Sequence, residues 1–217
     1  MEAVVQGRIA GAALLVSLVS IVVGLLVVAV QGNLGGLSAG FRGIEGIGKT
    51  AVALSVMAKA GFPYILLQLV GFGILAVMLR NAGQGLLATL SFAVLVFASA
   101  VSVFRGAFEG TVTVWAAQEL AATGSVPDLY EPLHAWTNEV FEIAYASLLM
   151  AMAGFGWAVL QTELLAHWVG WISIGWSVLW LLGYLFGVGI PAIIALYPLV
   201  YGIALLGVRS PVGSVGV

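Results

Sequence analysis

Cysteine is absent from the 217 residues. That excludes a disulfide framework, a thiolate metal site, a cysteine nucleophile and palmitoylation. Charge is nearly as scarce: seven Lys or Arg and nine Asp or Glu make up 7% of the chain, whereas a soluble domain carries about 25% because its surface must face water. A soluble globular domain is therefore excluded. The formal net charge of −2 leaves no basic stripe to neutralise phosphates, so nucleic acid is excluded as a partner. No lysine follows Lys59, which rules out a late-helix Schiff base of the retinal type. Intramembrane zinc proteolysis falls with the missing H-E-x-x-H, and a membrane serine protease would need a Ser and a His at matched depth that no helix supplies.

Apolar sequence and glycine fill the chain instead. Hydrophobic residues form 62% of it and the mean hydropathy is +1.17. The fold class that follows is all-α: a polytopic transmembrane helix bundle of about six spans, each roughly 20 residues, in one integral membrane domain over 1–217. The spans read as 8–30, 62–80, 84–106, 133–160, 168–187 and 190–208. The first is too long for a signal-peptide core and is read as a retained helix. Between the first two, a Gly-rich stretch and TAVALSVMAKA suggest a short interfacial or re-entrant helix. Pro63 falls in the first turn of the second span, while Pro198, in the middle of the last, predicts a kink. Helical character beyond Phe104 predicts that the third helix either projects from the bilayer or breaks near Gly106 to Gly110. Only Val188 and Gly189 separate the last two spans, which makes them antiparallel neighbours. An even span count with Arg8 flanking the first helix places both termini on the cytoplasmic side of the cell membrane.

One motif is refused. Gly43 to Thr50, GIEGIGKT, satisfies the P-loop pattern letter for letter, but no strand feeds it and no sheet stands behind it, so it reads as a Gly-rich interhelical turn and no nucleotide is expected.

Ionisable residues in or near a bilayer mark sites by default because their desolvation is costly. Here they gather at one end of the third and fourth spans. Glu139 and Glu142, three residues apart, fall on one helical face, and Arg105 and Glu109, four apart, sit at similar depth if the two spans are antiparallel. Asn138 and Tyr145 extend this set with neutral hydrogen bonds, and His134 caps its wet end. Trp176 and Trp180, followed by Tyr184 at four-residue spacing, form a stripe that either packs helices or lines an apolar ligand groove. The candidate ligand-binding set is thus Arg105, Glu109, Asn138, Glu139, Glu142, Trp176 and Trp180, with no catalytic residue. No metal or cofactor is expected: His134 and His167 open different spans, on opposite membrane faces, and no Glu-x-x-His pairs occur.

The R-I-A-G-A-A-L-L opening, the F-R-G-I-E-G segment, and H-W-V-G-W-I-S-I-G followed by I-P-A-I-I-A-L-Y-P-L-V-Y resemble a family of small bacterial multi-helix membrane proteins grouped as a domain of unknown function. The resemblance implies an α-helical integral membrane protein and transfers no catalytic residue.

Two functions compete. Glycines at close spacing (Gly71 and Gly73, Gly154 and Gly156, Gly183 and Gly187) suit close helix contacts within or between chains, and favour a non-enzymatic subunit or scaffold acting through helix association, as a homo-oligomer or with another membrane protein. The alternative is a small-molecule, lipid or proton-coupled binder or transporter, with its site between the third, fourth and fifth spans. Catalysis by the Glu pair ranks last, for want of a nucleophile.

Overall fold

The computed structural model describes residues 2–30, 51–186 and 195–208. Among the described residues all regular structure is helical. In chain order the helices are α1 (Glu2–Val30), α2 (Ala51–Leu79), α3 (Gly85–Phe108), α4 (Val114–Thr123), α5 (Tyr130–Leu160), α6 (His167–Leu185) and α7 (Leu196–Leu206). Four stretches are long and apolar enough to cross a membrane: Glu2–Val27, Lys59–Thr123, Tyr130–Leu160 and His167–Leu185.

The second of these is 65 residues long. As one straight helix it would measure about 100 Å, more than three times a hydrocarbon core of about 30 Å. Gly83 breaks it. Its φ of 95° lies in the left-handed region, which a residue without Cβ enters at no steric cost. The chain reverses there: Gly73 and Phe92, on either side of the turn, meet so closely that a Cβ on Gly73 would stand 3.2 Å from the Phe92 ring. α2 and α3 form an antiparallel hairpin.

Three expectations can be set against these bounds. α2 starts at Ala51, not Phe62, so residues 51–60 belong to the same helix as the apolar run and Pro63 lies inside it. A helix surrounded by apolar side chains tolerates one lost backbone bond better than a fully unpaired turn in a medium that offers no replacement. Residues 31–50, which include the Gly43–Thr50 pattern and the rest of the expected short helix, lie outside the described residues. Next, of the two courses expected beyond Phe104, α3 shows continuation and not a break near Gly106 to Gly110. It passes through one π turn at Glu109–Thr113 into α4, with right-handed helical angles at Phe108 and Val114, and ends at Gly124, whose φ of 76° is an αL cap. Third, Pro198, expected in the middle of the last span, is the third residue of α7 as described, and residues 187–194, just before Ala195, lie outside the described residues. Val188 and Gly189 fall outside the described residues.

The described parts of the chain divide into two compact units: Met1–Leu18, Leu66–Ala98 and Tyr145–Val217 form one, Val19–Ile65 and Ser99–Ala144 the other. The first is held by backbone approach. A Cβ on Gly11 of α1 would stand 2.7 Å from the Gly202 carbonyl of α7, and one on Gly156 of α5 would stand 2.8 Å from the Gly170 carbonyl of α6. Such distances exist only because both partners lack side chains. Phe72 stacks on Phe155 at 5.5 Å and meets Tyr201 edge-on at 5.3 Å, tying α2, α5 and α7 around a buried aromatic centre. Two hydroxyls add polar links: Ser173 Oγ donates to the Met152 carbonyl at 2.8 Å, and Ser177 Oγ lies 2.8 Å from Tyr197 Oη. The second unit has a smaller apolar core of Phe108, Ala116 and Tyr130, with Val112 and Val126 against it.

Candidate functional site

The second unit carries the polar cluster, and its centre is Glu109. This residue opens the π turn that follows α3. A π turn inserts one residue into the helical ladder, so it re-aims the side chains that follow. Here the Thr113 hydroxyl donates to Glu109 Oε2 at 3.0 Å. The other carboxylate oxygen lies 3.7 Å from Arg105 Nη2, one turn back on α3, and 3.8 Å from His134 Nε2 on α5. One acid therefore faces a guanidinium, an imidazole and a hydroxyl drawn from two helices and the turn between α3 and α4.

α5 presents its share of the site at helical spacing. Tyr130, His134, Asn138 and Phe141 follow at intervals of four, four and three, which keeps them on one face. Tyr130 Oη donates to Thr113 Oγ1 at 3.4 Å. The Tyr130 ring stacks on His134 at 5.3 Å, and Phe108 of α3 stacks on Tyr130 at 6.5 Å. Asn138 Nδ2 approaches His134 Nδ1 at 3.4 Å. Arg105 stands over Phe141, its guanidinium carbon 4.2 Å from the ring centroid, a cation–π contact that strengthens as water is excluded.

The exposures decide how this charge behaves. The side chains of Arg105 and Glu109 are 17% and 16% exposed, that of His134 31%. Screening by solvent is therefore partial, and removing one partner leaves the other poorly hydrated. Yet contacts of 3.7 and 3.8 Å exceed the roughly 2.7–2.9 Å of a tight charge-assisted bond, so the cluster is compensated without being closed. A guanidinium has five donors in a planar fork suited to carboxylate or phosphate.

Of the sequence-derived candidates, Arg105, Glu109 and Asn138 come together. Glu139 does not. It stands nine residues after Tyr130, roughly 180° round the helix, and is exposed. Glu142 is also exposed, flanking the inward face, and its charge acts on Arg105. The pair does share a side of α5, but the face that meets α3 is the one bearing His134 and Phe141. Tyr145 lies in the first unit, as do Trp176 and Trp180. The two indoles meet edge-on at 5.9 Å and pack against that unit's core, with the Trp180 Nε1–H buried and without a hydrogen-bond partner among the described residues. The sequence reading missed Thr113, Tyr130 and Phe141 and gave His134 a peripheral part. Four-residue spacing from Glu109 to Thr113 and through 130, 134 and 138 was the available signal. Among the described residues no three His, Asp or Glu side chains converge as metal ligands.

No family model, curated protein or solved structure matches the chain.

Proposed function

We propose that the chain is a multi-pass protein of the cell membrane that binds a small molecule through the Arg105–Glu109–His134 cluster, without catalysis. Five of its spans are α1, α2, α3, α5 and α6; of the sixth, expected over 190–208, the first residues lie outside the described residues and α7 is the described helix. The reversal at Gly83 supports counting α2 and α3 separately, since α2 has 29 residues and α3 has 24, each sufficient for a span of about 20. Both termini then share a side, and Arg8 and Arg80 beside the apolar runs favour the cytoplasmic one.

A single observation carries the binding reading: a guanidinium shielded from water and standing over an aromatic ring, whose acidic partner stays at 3.7 Å. Such an arrangement orients Arg105, whose planar fork of donors suits an incoming carboxylate or phosphate group. His134 and Asn138 stand beside it as further polar contacts. The other reading, a subunit or scaffold joined through glycine faces, is favoured less. Gly71, Gly73, Gly154 and Gly156 close on Leu14, Phe92, Ser91 and Gly170 of their own chain, so those faces are already occupied.

Native mass spectrometry of the protein released from lipid nanodiscs tests this. A small molecule travelling with each 22.5 kDa chain, lost in Arg105→Gln and kept in Glu139→Gln, is the expected result. Whole multiples of the chain, or added protein without a small molecule, would replace the binding reading with the assembly one.

A further inference from the structure

A cleft of about 490 Å³ lies between the N-terminal half of α2 and the C-terminal half of α3. Its lining residues all belong to the second unit and include none of the cluster around Glu109. The volume is within the roughly 300–1,000 Å³ of small-molecule sites. What makes it a space is glycine: a Cβ on Gly61 or Gly106 would meet nothing within 4 Å. These glycines separate helices from contact, the reverse of Gly11 or Gly156.

Chemically the cleft is two-ended. Phe62, Ile65 and Val103 give it an apolar wall, and among the described lining residues Lys59 is the cation and no carboxylate occurs. Lys59 is exposed and joins no ion pair among the described residues. From Ala60 to Leu79 α2 carries no charge, so Lys59 marks the end of the apolar run, the position from which a lysine stem reaches the headgroup level. The lining offers one cation and one apolar wall, the complement of a ligand with one acid group and one chain.

We propose that this cleft binds a long-chain carboxylate, with the acid group on Lys59 Nζ and the chain lying along Phe62, Ile65 and Val103. The site is separate from the Arg105 cluster and does not depend on its function. Full-length protein in phosphatidylcholine nanodiscs is irradiated with a diazirine-bearing fatty acid, and labelled peptides are mapped. Labels on the Phe62–Ile65 and Ser102–Val103 segments are expected, reduced about fivefold by Lys59→Gln, the factor expected for one ion pair near a surface. Lys59→Arg retains the label, and Gly106→Leu, which fills the open space, abolishes it. Labelling elsewhere, or labelling that survives both Lys59→Gln and Gly106→Leu, overturns the proposal. Equal labelling by a diazirine analogue of two-chain phosphatidic acid overturns the choice of a single-chain ligand.

Discussion

Gly156 and Gly106 are the same residue in similar apolar helices, yet they do opposite things. In the first unit, a Cβ on Gly156 would press on the Gly170 carbonyl at 2.8 Å, whereas in the second a Cβ on Gly106 would enter open space. Glycine in a membrane helix removes a side chain, and the neighbour decides whether the vacated volume becomes a backbone contact or a cavity. The polar residues divide in parallel. In the first unit the Ser173 and Ser177 hydroxyls are taken up by links between helices. In the second, charges face one another at distances that leave room for a further partner. One unit uses its glycines for backbone contacts and the other keeps an open cleft beside them.

The largest effect that sharpens this contrast is steric. Gly156→Leu should destabilise by about 3 kcal/mol, the upper range for overpacking a filled interface, while Gly106→Leu should stay within about 0.5 kcal/mol. Thermal unfolding of both variants in one detergent reads the difference, and equal losses would break the comparison. Second comes the charge. Glu109→Gln strands a partly buried guanidinium and should cost about 1–2 kcal/mol. Its exposed counterpart Glu139→Gln should cost under about 0.5 kcal/mol by the same measurement. Smaller still, Ser173→Ala loses one interhelical hydrogen bond, about 0.6 kcal/mol in a membrane helix pair. The smallest is Trp180→Phe: its indole N–H has no partner among the described residues, so the change should fall within about 0.5 kcal/mol of neutral or stabilise slightly. A clear loss there would mean that the indole binds something.

Much of this was legible in the sequence. Long charge-free runs identify membrane-length helices because hydrocarbon enforces internal hydrogen bonding, and that rule needs no tertiary information. The joint appearance of Arg105, Glu109 and Asn138 was legible too, because turn spacing fixes which residues share a face. Glu139 misled for the same reason: its i,i+3 relation to Glu142 is real, but spacing within one helix does not say which face meets a neighbour. Trp176 and Trp180 followed a helical stripe that serves core packing in another unit. Pro63 illustrates a different gap. A proline ends helices in water, where an alternative backbone partner is at hand, and is carried through here within an apolar helix. Nor does any sequence pattern separate Gly156 from Gly106, since the difference lies wholly in the atoms opposite.

The central claim is that the second unit is open to a ligand and the first is closed. A chain without cysteine is a ready background for testing it by maleimide labelling of single substitutions in lipid vesicles. Asn138→Cys at the polar cluster and Ala107→Cys in the cleft should react readily, while Ala151→Cys and Ala158→Cys, at positions 2% and 0% exposed, should react at least about tenfold more slowly, the ratio that 1.4 kcal/mol of local opening imposes. Equal rates at all four positions, or faster reaction at 151 and 158, would contradict the account.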